Sequence, residues 1–299
     1  MTCTVAYSLA FLLVGGIGAT RATAAEDRHL FQPRVAVGDV YEVTEVIDFV
    51  VRETPSDPKA EEAGSPYVMH SETRTRREVL ATTGGKATAV RLTFLVSRVA
   101  LTGAGANRDF DQPYAGRTFL LEKKGGKVRV SPTSREKFDK GVIGKLAAML
   151  DSHGPVPFPE VDLAPGEDWE APMTEADGIN KQSSGRTHAK FLAMTDHTGE
   201  PCAVIQVEQS AHVNPEAGGA GLESSVTASL KGELRYSLQR QRPIELELRG
   251  PFQIPSPAAP NGSPSPGLSG ECRQSYREKW IKVAGKPVPD APAANSDSR

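Results

Sequence analysis

Histidines, acidic residues and cysteines are the side chains of this sequence that could do chemistry. None of the six histidines falls in an HExxH motif or another spacing typical of metal ligands. His188 and His212 lie on stretches that we expect to pair as strands, so a two-histidine site is geometrically open. Solvated histidines at the edge of a core are the alternative. The six are His29, His70, His153, His188, His197 and His212.

Among the 37 acidic residues, the candidates for chemistry are the pairs Asp109–Asp111 and Glu167–Asp168, together with Asp39. A calcium site needs six to eight oxygen ligands, and these pairs do not supply a full set. Aspartate and glutamate also favour turns, where they bond to local backbone amides, and we interpret these residues in that way. The sequence has no GxSxG motif, no phosphate-binding loop and no dinucleotide-binding fingerprint, so it predicts no catalytic residue, cofactor or metal.

The N-terminus is typical of an export signal. Val5–Ile17 is an apolar run of 13 residues, shorter than the roughly 20 that cross a membrane as a helix. Ala22-Thr23-Ala24 then fits the small-x-small rule of signal peptidase. We predict that residues 1–25 are a signal peptide, cut before Ala25 or Glu26, and that the protein is periplasmic or extracellular. A buried N-terminal helix or an anchor is the alternative.

Removal of the signal leaves two cysteines, Cys202 and Cys272. Two cysteines in an exported chain allow one disulfide, and two separate thiols are the alternative. The sequence contains no CxxC motif or Cys/His cluster, so a structural zinc site is not expected.

Charge and composition exclude some classes of protein. The chain has 35 Lys+Arg against 37 Asp+Glu, a net charge of -2, whereas a nucleic-acid binder needs a basic face. With 38% hydrophobic and 24% charged residues, the chain is too polar for a protein with many membrane spans and apolar enough for a core. We expect no nucleic-acid partner and no integral membrane segment after signal cleavage.

Alternation of apolar and polar residues predicts that the chain is mainly β. Residues 230–239 and 244–249 alternate on both sides of a turn, which indicates an antiparallel hairpin with one buried face. Three further hairpins are predicted at 73–101, 117–130 and 187–213, with turns at Gly84-Gly85, Gly125-Gly126 and 196–199. If the sheets curve like a clam or half-barrel, their apolar side would face a ligand through Ile205, Val207, Leu234, Tyr236, Ile244 and Leu246.

The hairpins group into two tandem units. Gly38-Asp39-Val40-Tyr41 opens a first unit over residues 35–133, and Gly166-Glu167-Asp168-Trp169 lies near the start of a second over 155–252. We interpret this order as an internal repeat; a plain meander is the alternative. Helical spacing of apolar residues predicts a connecting helix over 134–154. The rest is predicted as a Pro-rich linker (253–270), a final strand or short helix (271–284) and a disordered tail (285–299).

These motifs resemble a family of uncharacterised exported bacterial proteins and lipoproteins. The resemblance covers residues 35–252 and rests on "VGDVYEV", "VPFPEVDLAPGEDWEAP" and "LKGELRYSLQRQRPIELELRGPF". It implies a G-[DE]-x-aromatic opening in each half, a central helix and a closing hairpin. It implies no activity, and it transfers no catalytic or ligand residue. The present chain lacks a lipobox, so the membrane anchor common in that group is not expected here.

Together these observations predict an exported, non-enzymatic β-rich envelope protein that binds a partner protein or an apolar, lipid-like ligand. An apolar cavity would favour a lipid-like ligand, whereas a filled interior would favour binding of a partner protein through the loops. The alternative is an exported hydrolase with a dispersed catalytic site. That alternative requires convergence of histidines and acids in one cleft, with His188, His212 and Asp109 as the first candidates.

Overall fold

The computed structural model describes residues 28–54, 66–103, 107–151, 154–173, 184–213, 225–255 and 267–287. The connecting helix predicted over 134–154 is shorter and spans Lys140–Asp151, here called α1. The elements before it are β1 His29–Leu30, β2 Val40–Thr54, β3 Tyr67–Thr83, β4 Lys86–Gly103, β5 Arg108–Asp111, β6 Thr118–Lys124 and β7 Lys127–Pro132. The elements after it are β8 Asp162–Leu163, β9 Asp168–Pro172, β10 Ser184–His197, β11 Glu200–Val213, β12 Val226–Ser237, β13 Arg242–Ile254, β14 Gly267–Val283 and β15 Lys286–Pro287.

One large antiparallel sheet dominates the described part of the chain. Its strands follow the order β7-β6-β4-β3-β2-β14-β13-β12-β11-β10-β9, with β5 added beside β4 and β15 beside β14. The prediction of a mainly β, antiparallel fold with one helix is therefore confirmed. The two predicted units lie on either side of β14, which pairs with β2 and with β13 and joins both halves into one sheet.

Strand β14 also corrects the predicted C-terminal boundaries. Strand β13 runs on to Ile254 and β14 begins at Gly267, so both ends of the predicted linker 253–270 are strand. The prolines that suggested a linker are concentrated in residues 256–266, outside the described residues. Lys286 and Pro287, predicted as the beginning of the tail, pair with β14 as β15. The rest of the tail also lies outside the described residues.

The sheet is strongly curved. Arg34 donates its backbone N–H to the Gln241 carbonyl in the β12–β13 turn, 3.1 Å away, and Val35 donates to the Gly85 carbonyl in the β3–β4 turn, 2.9 Å away. These two turns are four strand spacings apart, roughly 19 Å in a flat sheet. Because two consecutive residues reach both turns, the sheet must bend around them.

Glycines in β12, β13 and β14 permit this bend. A Cβ atom on Gly232, Gly250 or Gly270 would lie only 1.8–1.9 Å from a backbone carbonyl oxygen of a neighbouring strand. No other residue type fits where two backbones approach this closely. The three glycines lie on three adjacent strands, β12, β13 and β14, and allow the neighbouring backbones to come this close.

Helix α1 covers the concave face of the first half of the sheet. It begins later than predicted because Asp139, rather than Ser134, caps it: the Asp139 carboxylate accepts the Val142 N–H at 2.8 Å. The helix packs on β4, β6 and β7. This contact forms a core cluster that contains Val90, Leu92, Phe94, Phe119, Leu121, Leu146 and Leu150.

Two extended segments, residues 28–35 and 155–164, cover the concave face of the second half. Phe31 is fully buried and contacts Phe158, Phe191 and Tyr236 with ring centroids 5.1–6.2 Å apart. Arg28 anchors the beginning of the first segment through two hydrogen bonds to the Glu167 carboxylate, each 2.9 Å. We call residues 28–35 the N-terminal strap. Between this strap and α1, part of the concave face has no covering element.

Candidate functional site

The predicted ligand-facing side of the second half is filled core. Ile205, Val207, Leu234, Tyr236 and Leu246 are at most 1% exposed, and the strap and Phe158 pack over this face. The prediction of a ligand surface here is corrected because the chain supplies its own covering segments, which alternation within a strand cannot indicate.

Ile244 does not belong to the predicted ligand-facing side either, for a different reason. A bulge pairs Arg235 with Glu245 and Tyr236 with Pro243, so Ile244 is the extra residue between them. It is half-buried and lines a shallow depression with Thr44 and Arg277, on the polar side of the sheet.

The two cysteines are separate thiols, and the predicted disulfide between them is wrong. Cys202 on β11 and Cys272 on β14 are both free and buried. Strands β12 and β13 lie between them, a separation of roughly 14 Å across the sheet alone. The registers also offset the two residues along the strands, since Cys202 lies level with Arg242 and Cys272 with Gly250. A disulfide needs Cα atoms about 4.4–6.8 Å apart. Burial raises the pKa of the Cys272 thiol to about 11, so this thiol is un-ionised at neutral pH.

The histidines proposed for a hydrolase do not meet. His188 lies 3.2 Å from an Asp168 carboxylate oxygen, and His212 lies 3.1 Å from the Thr227 hydroxyl. In the β10–β11 register the two histidines are four positions apart, and Asp109 lies on β5 in the other half of the sheet. Across the described ranges, no three His, Cys, Asp or Glu side chains form a group that could hold a metal ion.

Asp39 and Glu167 build turns, as their position after glycine predicted. Asp39 accepts the Ala36 N–H at 2.6 Å, and Glu167 accepts the Ala164 N–H at 3.0 Å. Their backbones also bond alike, Asp39 to Val79 and Glu167 to Phe191. The two openings therefore have the same local structure. Asp39 in addition accepts the Ala284 N–H at 2.7 Å, which ties the first opening to the end of β14.

A cavity of about 450 Å³ lies on the concave face between α1 and the N-terminal strap. One wall is apolar and belongs to β4, β6 and the last turn of α1. The opposite wall, which we call the cationic wall, contains Arg77 and Arg242 beside Tyr41, and Pro33 and Val35 of the strap complete it. Lys86 and Lys123 also line the cavity. The apolar wall consists of Val90, Leu92, Leu121, Met149 and Leu150.

Arg242 is part of a buried ion pair behind the cationic wall. Its guanidinium makes two hydrogen bonds to the Glu278 carboxylate, 2.7 and 2.8 Å long, and lies 4.5 Å from the centroid of the Tyr41 ring. Tyr276 and Trp280 donate to the same carboxylate at 2.8 and 2.7 Å. Burial alone would lower the pKa of Arg242, but the Glu278 carboxylate raises it by more, so Arg242 stays charged.

Arg77 differs from Arg242 because it lacks a comparable partner. It lies opposite Tyr41 and Leu92 in the registers of β2, β3 and β4. Its Nε atom is buried and has no hydrogen-bond partner, and no ion pair to Arg77 exists among the described residues. Burial acts to lower the pKa of Arg77, whereas the fields of Tyr41, Tyr276 and Glu45 raise it by more, so the guanidinium is charged at neutral pH.

Sequence reasoning did not single out Arg77, which lies on the face of β3 opposite Arg74 and Arg76, as alternation along a strand requires. It also missed the ion pair of Arg242 with Glu278. A signal was present, because Glu278 stands at period two between two large aromatic residues, Tyr276 and Trp280. A lone carboxylate in such a position indicates a buried cationic partner. The apolar wall could not be inferred, since it combines residues from β4, β6 and α1.

No protein-family model matches the chain, and no curated protein sequence matches it. Among solved structures, the chain is similar to one described as "lipid-protein interactions in lipovitellin", with 8% identity and a TM-score of 0.45 over 87% of this chain. The present chain spans only 27% of the lipovitellin chain. DynF from the dynemicin biosynthesis pathway of Micromonospora chersina gives 10% identity, 89% coverage of both chains and a TM-score of 0.22. Because both TM-scores lie below 0.5, neither similarity carries an argument about function.

In the part of the chain that the structure describes, no helix has both the length and the apolar character to cross a membrane.

Proposed function

We propose that the protein is an exported, non-enzymatic binding protein that holds an apolar, lipid-like ligand in the cavity between α1 and the N-terminal strap. Export rests on the N-terminal sequence, which has the run and cleavage site of a signal peptide. The binding role rests on the cavity.

The observation that carries the proposal is the unfilled space beside an otherwise packed core. Its volume of about 450 Å³ lies within the range of small-molecule sites in proteins. Leu92 and Leu121 contribute to the wall but are 1% exposed, so protein atoms already cover most of both side chains. Val35, Ala87 and Met149 are the half-buried apolar residues of the lining. A ligand with an alkyl chain would cover this wall and gain about 0.8 kcal/mol for each buried methylene.

Extraction of the purified full-length expressed protein tests this role. We expect an organic extract to contain close to one equivalent of an apolar molecule per chain by mass spectrometry. The variant Met149→Trp fills the cavity from the last turn of α1. We expect it to retain at least about tenfold less ligand, since losing two methylene contacts already gives that factor.

The matched control is Lys145→Trp, which adds the same side chain at an exposed position of the same helix, outside the cavity lining. It should retain the wild-type amount of ligand. Both variants are checked for native thermal unfolding before extraction. An extract of wild type without any apolar molecule, or equal amounts from both variants, would contradict the proposed cavity ligand.

Export is tested separately by the mass of the processed chain. In a bacterial host we expect the protein outside the cytoplasm, with the mass that results from cleavage before Ala25 or Glu26. The double variant Ala24→Arg/Ala25→Arg removes the small residue before either cleavage site, so the chain should keep the mass of the uncut precursor. A full-length wild-type chain in the cytoplasmic fraction would overturn the export proposal and leave the cavity proposal to its own test.

A further inference from the structure

We infer that the ligand is a single-chain amphiphile with a carboxylate head, held with the head at Arg77 and the alkyl chain along the wall of β4, β6 and α1. The inference rests on the proposed function, because it specifies the ligand of the same cavity. It follows from the charges on one side of the cavity and the apolar surface on the other.

The two arginines of the cationic wall are not equivalent. Glu278 accepts two hydrogen bonds from Arg242 and thus satisfies its charge inside the protein. Arg77 has a buried Nε without a partner. Glu45 is the carboxylate whose field acts on Arg77, and no ion pair joins the two. No described carboxylate pairs with Arg77, and its Nε atom is out of reach of the cavity, so an acceptor that enters from the cavity would meet the terminal Nη groups of this guanidinium.

A carboxylate is the acceptor whose shape fits Arg77. A guanidinium presents its N–H groups in a planar fork that matches two oxygens of one carboxylate. A partly buried cation without such a partner is unfavourable, and an entering carboxylate would remove this penalty. Lys86 also lines the cavity, and its positive charge favours an anion over a neutral or cationic head.

The apolar wall beside Arg77 indicates the shape of the rest of the ligand. Arg77 and Leu92 lie opposite each other on neighbouring strands, so the apolar wall begins beside the guanidinium. From Leu92 the wall continues over Leu121 on β6 to Leu150 and Met149 on α1. A ligand that joins a carboxylate directly to an alkyl chain fits this order of polar and apolar groups. Each additional buried methylene should raise the affinity about fourfold until the cavity is full.

Calorimetric titration of the delipidated full-length expressed protein with dodecanoate, dodecanol and dodecyl phosphate tests the inference. We expect dodecanoate to bind at least about tenfold more tightly than dodecanol, the range of one charge-assisted hydrogen bond. In Arg77→Met we expect this preference to vanish while dodecanol binds as in wild type. Equal binding of dodecanoate and dodecanol by wild type would overturn the inference and leave the proposed function standing.

Arg76→Met is the matched control. Arg76 is the neighbouring residue on the other face of β3, where it pairs with Glu42 at 2.7 Å, so its loss should leave all three affinities unchanged. A preference for dodecanoate that persists in Arg77→Met, or that falls equally in Arg76→Met, would contradict a head group at Arg77. Dodecyl phosphate binding tenfold more tightly than dodecanoate would overturn the carboxylate assignment. Absence of binding by every probe would instead contradict the proposed function.

Thermal unfolding separates a binding role of Arg77 from a structural one. Methionine preserves most of the volume and removes a buried N–H without a partner, so we expect Arg77→Met to be at least as stable as wild type. If Arg77→Met does not fold, Arg77→Lys retains the charge but not the planar fork, and it should reduce the preference for dodecanoate. An unchanged preference in Arg77→Lys would then contradict the inference.

Discussion

Replacing Glu278 with glutamine will lower the free energy of unfolding by about 3–5 kcal/mol, because it leaves the Arg242 guanidinium buried without a counter-charge. Arg242 is 7% exposed, and the Glu278 side chain is fully buried, so water cannot take over the role of the carboxylate. Glutamine has nearly the same shape, and the loss therefore reports the charge rather than a cavity. Urea unfolding followed by tryptophan fluorescence measures it, since Trp280 donates to this carboxylate.

Two further variants make this expectation specific. Glu233→Gln changes the same residue type at an exposed position of β12 and should stay within about 0.5 kcal/mol of wild type. The double variant Arg242→Met/Glu278→Gln removes both buried charges. The glutamine oxygen can still accept from Trp280, and its NH2 group can donate to the Tyr276 hydroxyl. We expect the double variant to recover most of the loss. A double variant as unstable as Glu278→Gln alone would refute an unpaired charge as the cause.

Substituting Gly250 with alanine will prevent the sheet from closing on its native register. The new Cβ would lie 1.9 Å from the Ser229 carbonyl oxygen and 3.1 Å from Leu230 Cα, both in the backbone of β12. Neither atom can move without separating the β12–β13 pair, so the expected loss is about 3 kcal/mol or more. We expect little soluble protein, and a lowered urea midpoint for any that folds.

Gly144→Ala is the matched control for this change. Gly144 lies on the exposed side of α1, and a Cβ there would contact nothing within 4 Å. Since glycine destabilises a helix interior, this alanine should stabilise the protein by about 0.5–1 kcal/mol. The same pair of residue types thus gives opposite signs at two positions. A Gly250→Ala variant as stable as wild type would refute the close approach of β12 and β13.

Some features of the candidate site depend on residues close together in sequence, and others depend on residues far apart. Alternation along β3 is enough to assign Arg77 and Arg76 to opposite faces, because side-chain direction in a strand depends only on parity. Whether Arg77 then meets solvent, a carboxylate or a cavity depends on which elements cover that face. Helix α1 and the strap decide this, and neither is a neighbour of β3 in sequence.

What the sequence determined by itself is the set of local structures. Alternation and glycine turns specify the hairpins, and Asp39 and Glu167 specify the turns that open each half, because these features depend on residues within a few positions. Only the tertiary structure decided that β14 lies between β2 and β13, that the strap fills the second half and that Arg242 meets Glu278. Each of these pairings joins residues far apart along the chain. Their partners are selected by the register and curvature of the whole sheet, a property that no local pattern contains.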